Sequence, residues 1–135
     1  MSIYESGLGN VAAYQVSGRP FVSGGINVYA ATLGGTPLKI SFPSVTQWVV
    51  IKNMDNAGTA PVKFGVSAAG LAGDNYFTVM EDYSNWKSST TPRLRLKVTN
   101  LYLTGSSTNV DVIAGLTGIN TSSLPNNWSG VEGVG

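Results

Sequence analysis

Glu81 and Asp82 are the one pair of adjacent carboxylates in the chain, and a carboxylate pair is what hydrolysis of a glycosidic bond requires. Those two groups must face each other across a sugar, whereas neighbours on an extended backbone point to opposite sides. They read as solvation of a loop. Asn53, Asp55 and Asn56 superficially resemble the start of a calcium loop, but no glutamate closes it and seven acidic residues in all are too few for tight binding. A turn accounts for them better. The glycines near Gly7 and Gly9, and those near Gly70 and Gly73, lack the lysine and following helix of a phosphate cradle. Histidine and cysteine are both absent, which removes most metal sites, every thiol nucleophile and the ordinary Ser-His-Asp arrangement. The residues therefore predict no enzyme, no catalytic group, no cofactor and no metal.

What remains is adhesion. Exposed aromatic rings serve as sugar-stacking platforms or as anchors in protein interfaces. Trp48 sits in an apolar run and reads as core, while Trp86 lies in a polar loop and Trp128 in the C-terminal stretch, where an indole gains by meeting a ligand or a neighbouring chain. Arg93, Arg95 and Lys97 alternate with Leu94, Leu96 and Val98. That period of two belongs to a half-buried strand, with the aliphatic groups about 6.6 Å apart along one face. Its cationic side is either a solvated strand surface or a row that pairs with a partner's carboxylates. Trp86, Arg93, Arg95, Lys97 and Trp128 are the candidate protein-interface residues.

The bulk properties point the same way. At 135 residues the chain fits one domain with one core. Only 11% of it is charged, with a net charge of +1, so its surface repels neighbours weakly; this suits close association with other proteins and equally suits a soluble module with a hydroxyl-rich exterior. The charge balance gives no support for nucleic-acid binding. No apolar run approaches bilayer length and the first residues lack a secretion signal, so the expectation is a protein made in the cytoplasm, without membrane insertion.

The elements that would position these residues are strands. Residues 13–16 and Phe21-Val22 look extended, broken at Gly18-Arg19-Pro20. A further strand is expected over 26–31, with Ile26, Val28 and Ala30 on one face. Residues 38–42 alternate cleanly. Residues 47–53 have an unbroken apolar centre, which predicts a central strand covered on both faces. Val62, Phe64 and Val66 share a face, residues 76–79 are extended, and residues 81–92 form the longest irregular loop. After Val98 the apolar phase flips from even positions to odd ones, Leu101 and Leu103, which requires a bulge or tight corner near Thr99-Asn100. Residues 110–114 form the last clear strand. No stretch has convincing helical spacing. The reading is all-β: a single jelly-roll, two-sheet sandwich of about eight antiparallel strands over residues 13–119, with an N-terminal arm (1–12) and a flexible C-terminal tail (120–135).

Two segments carry a more specific likeness: Tyr14-Gln15-Val16-Ser17-Gly18-Arg19-Pro20-Phe21 near the start, and Ile113-Ala114-Gly115-Leu116-Thr117-Gly118-Ile119 closing the last strand. Between them lie Val62-Lys63-Phe64-Gly65-Val66-Ser67-Ala68-Ala69-Gly70 and Asn75-Tyr76-Phe77-Thr78-Val79. The arrangement, from about Tyr14 to Ile119, resembles the small single jelly-roll capsid proteins of large icosahedral DNA viruses, in particular those of the five-fold vertex, the pentons. The resemblance implies a structural virion protein, a homopentamer whose loops grip neighbouring capsid proteins and whose terminal arms lie along them. Two other readings stay open: a phage-type head decoration protein, and a carbohydrate-binding β-sandwich in which Trp86, Tyr83 or Tyr102 stacks on a glycan. The strand phase itself is testable. Leu96→Lys puts a charge on the apolar side and is expected to prevent folding at a cost of several kcal/mol, read as loss of the β-type circular dichroism spectrum.

Overall fold

A computed structural model describes residues 19–55, 60–80 and 89–124. Eight strands are present among them: β1 (Pro20–Ile26), β2 (Leu38–Ser41), β3 (Thr46–Asn53), β4 (Val62–Gly65), β5 (Phe77–Val79), β6 (Ser89–Thr90), β7 (Asn100–Gly105) and β8 (Val110–Leu116). The first sheet has the order β1-β8-β3-β6 and the second β2-β7-β4-β5, every pair antiparallel. The pairs β1 with β8, β2 with β7, β3 with β6 and β4 with β5 are nested, as if one long hairpin had been rolled up. This is the jelly roll, and the all-β expectation holds.

The alternation in each strand builds the core between the sheets. Val49 and Ile51 of β3, Val112 and Ala114 of β8, Val62 and Phe64 of β4, and Leu101 and Leu103 of β7 meet there and are buried. Each of these side chains other than Ala114 contributes about 1.5 to 3 kcal/mol. Phe21 of β1 closes one corner edge-on against Phe42, with ring centres 5.0 Å apart.

The phase flip marks where the chain changes sheets. Val98 points into the core from the first sheet's side, and β7 begins two residues later in the second sheet. The corner near Thr99-Asn100 is thus where the alternation placed it. The cationic segment before it, however, is no regular strand. Leu94 exchanges both backbone bonds with Val49, but the Leu96 amide turns back to the Leu94 carbonyl at 2.9 Å. The buried Thr46 hydroxyl replaces the lost ladder, donating to the Leu96 carbonyl and accepting from the Val98 amide. Exposure still alternates, with Arg93, Arg95 and Lys97 outward and Leu94 and Leu96 packed on the core.

Two short helices correct the expectation of none. α1 (Val28–Ala31) replaces most of the strand expected over 26–31, because the Asn27 side chain caps it by accepting from the Ala30 amide at 2.9 Å. α2 (Ala68–Ala72) is capped in the same way by Ser67 and plugs its end of the core with Leu71. The extended segment expected over 13–16, the arm (1–12) and the tail beyond residue 124 lie outside the described residues.

β1 gains one extra residue opposite β8 between Ser23 and Ile26. Gly25 takes a left-handed conformation there (φ 64), and its amide donates to the Asp111 carboxylate at 2.9 Å. Gly115 of β8 serves a different need. A Cβ at this position would lie 2.4 Å from Trp48 Nε1, so the indole lies directly on the bare backbone of the adjoining strand. Gly115→Ala is expected to lift the indole and cost about 1 to 2 kcal/mol, seen as a lower urea midpoint with an unchanged m-value.

Candidate functional site

Polar side chains buried in a sandwich are the first place to look for chemistry, and here they hold backbone. Asn53, fully buried at the end of β3, donates to the Ala60 carbonyl at 2.8 Å and to the Val79 carbonyl at 3.1 Å, and accepts from the Ser107 hydroxyl at 2.7 Å. Asp55 accepts from the amide and hydroxyl of Thr108, both at 2.8 Å. The Ser107 carbonyl accepts from the Tyr29 amide. Three connections, β1 to β2, β3 to β4 and β7 to β8, and the end of β5 are thereby tied together at one end of the sandwich. Asn53 closes β3 and Asp55 follows it; Asn56 and the remainder of the expected turn lie outside the described residues. At the opposite end the Thr117 hydroxyl donates to the Val45 carbonyl at 2.7 Å and accepts from the Ile119 amide. No group of three or more His, Cys, Asp or Glu able to hold a metal occurs among the described residues. No helix among them is long and apolar enough to cross a membrane.

The sheets differ on their outer faces. The second presents Lys39 beside Tyr102, and Lys63 between Thr104 and Thr78, with the Lys63 ammonium 4.4 Å above the Tyr76 ring. Water suits that face. The first presents three rows across β1, β8 and β3. Pro20, Gly115 and Trp48 form one row, Val22, Ile113 and Val50 the next, and Asp111 with Lys52 the third, followed by Thr90 on β6. Val22 is 70% exposed and Ile113 39% exposed. A shallow depression of about 280 Å³ runs between Val22, Val50, Ile113 and the Lys52 and Asp111 side chains. An apolar strip of this kind on a solvent face marks a binding surface more often than chance.

Arg93 and Arg95 are exposed beside this face, on the segment that follows β6 along β3, and Lys97 is exposed further on. The structure therefore brings two of the sequence candidates to the rim of the apolar rows. Trp86, Trp128 and Tyr83, with Glu81 and Asp82, lie outside the described residues. Trp48 is corrected: it is half-buried on the outer face over Gly115, not in the core. Val22, Val50 and Ile113 were not singled out by the sequence, although the run Trp48-Val49-Val50-Ile51 carried the signal. β3 is indeed internal, flanked by β8 and β6, but among the described residues only its inner face is covered.

The Asn53 network is testable by itself. Asn53→Ala strips partners from two buried carbonyls and the Ser107 hydroxyl, and is expected to destabilise the domain by about 2 to 4 kcal/mol in urea unfolding, while the outer-face variant Val22→Ser stays within about 0.5 kcal/mol of the parent. In comparisons with known proteins, no family model matches the chain, and no curated protein or solved structure matches it.

Proposed function

We propose that this chain is a structural virion subunit: a single jelly-roll minor capsid protein that forms a pentameric five-fold vertex and contacts neighbouring capsid proteins. The observation that carries the reading is the nested pairing β1·β8, β2·β7, β3·β6, β4·β5, an architecture used by viral capsid domains and also by lectins and cupins. That is support by analogy of fold. Two features of this chain favour the capsid branch. Its buried polar groups fasten connections instead of facing a cavity, and its first sheet keeps an apolar outer face, which a subunit among subunits can cover.

The tied end of the sandwich suits a part that must keep its shape under load. Three connections and the end of β5, fixed by Asn53, Asp55 and Ser107, form a stiff rim for contacts with neighbours, and stiff elements lose little entropy on docking. A ring of five would make heterologous contacts that close on themselves. Negative-stain micrographs of the purified full-length chain are expected to show five-fold rings. Single small globules at the highest attainable concentration would overturn the proposal.

A further inference from the structure

We infer that the outer face of β1, β8 and β3 is a contact between two copies of this chain, related by a twofold axis that runs parallel to the strands between β8 and β3. Three observations lead there. The run Trp48-Val49-Val50-Ile51 has the composition of a strand covered on both sides, yet Trp48 and Val50 are only half-buried and their neighbours Val22 and Ile113 are exposed. The opposite sheet's outer face, with two lysines and hydroxyl-bearing side chains, has no such deficit. The third observation identifies the occupant.

Asp111 and Lys52 are register partners on the two strands that flank the axis. A twofold there exchanges the β8 and β3 positions at constant height along the strands. Lys52 of each copy then faces Asp111 of the other, twice over, and Ile113 of each copy faces Val50 of the other. This is the self-complementarity an isologous contact demands. The two sheets would stack about 10 Å apart in the aligned manner of β-sandwiches. The indoles of Trp48, each seated on its own Gly115, would meet near the axis. Arg93 and Arg95 fall at the rim one strand beyond β3, so each is more than about 14 Å from its symmetry mate, beyond the ~10 Å screening length of ordinary buffers. Like-charge repulsion at the rim is therefore small beside the central pairing.

The contact does not depend on the capsid reading. A face three strands wide falls short of the ~800 Å² per partner of a standard stable complex, so self-association is expected with Kd on the order of 10 μM. Sedimentation of the full chain from low micromolar to near-millimolar concentration tests it. The parent is expected to dimerise, and Ile113→Lys, at the centre of the face, to weaken dimerisation at least tenfold while its circular dichroism stays that of the parent. Lys52→Asp and Asp111→Lys should each weaken it too, since each sets like charges against one another twice. Mixing these two variants should restore association as a heterodimer, because both central pairs then become opposite in sign. Asp111 also accepts from the Gly25 amide, so the mixture is scored with Asp111→Lys shown by circular dichroism to keep the parent fold, and Asp111→Asn, which keeps an acceptor for Gly25 and removes only the charge, is expected to weaken dimerisation as well.

A folded monomer at all concentrations overturns the inference, as does association that survives Ile113→Lys. Single variants that lose association without recovery on mixing overturn the twofold. Protection of Ile113 and Val50 from hydroxyl-radical labelling in a monomer also overturns it, by assigning the face to another part of the same chain. Five-fold rings indifferent to these variants would remove the dimer and leave the vertex reading intact, whereas charge-dependent dimers without rings would do the reverse.

Discussion

A jelly roll must end its strands without leaving buried carbonyls and amides unpaired, and in this chain the Asn53 carboxamide meets that constraint where three connections and the end of β5 converge. Its two donor hydrogens and one acceptor oxygen reach the approach to β4, the end of β5 and the loop before β8, so one side chain of the first sheet satisfies groups of the second sheet and of the loop that joins the two. In the low dielectric of a core each such bond is stronger than in water, and each missing one is costly. Thr46 and Thr117 do the equivalent work at the other end, where hydroxyls stand in for absent ladder partners. The hydrophobic core supplies the cohesion, but these three residues determine that the sheets finish in register.

The same economy gives a structural task to two of the polar residues that looked like candidates for chemistry. Asn53 and Asp55 are saturated by backbone and hydroxyl groups of neighbouring loops, which leaves them as fasteners. Surface chemistry is divided between the sheets. One outer face is wet, with Lys39, Lys63, Thr78, Tyr102 and Thr104; the other is dry in its middle and charged at its rim.

Much of this was legible in the residues. The clean alternation over 38–42 and 62–66 located β2 and β4, the apolar run at 48–51 located the internal strand β3, and the shift from Leu96 to Leu101 located the corner between sheets. Each of these is a statement about period and phase, which a sequence carries directly. Residues 26–31 misled because Ile26, Val28 and Ala30 fit a strand as well as one helical turn, and the deciding bond from the Asn27 side chain to the Ala30 amide is a matter of three-dimensional geometry. α2 is too short for helical spacing to register. The two-residue strand β6 was hidden in what read as an irregular loop, because its neighbour Thr91 pairs with Ile51 partly through its hydroxyl. Trp48 reads as core because alternation says that a strand has two faces and not which of them the second sheet covers.

The extra residue in β1 bears on how copies of this protein can meet. β1 is the outermost strand of its sheet, and an unprotected margin of that kind invites another backbone to add on, rung by rung, toward fibrils. The kink at Gly24-Gly25, pinned by Asp111, spoils the regular row of donors and acceptors that such growth would copy. Lateral extension along this margin is thereby discouraged, while the flat of the sheet is left unobstructed by the bulge.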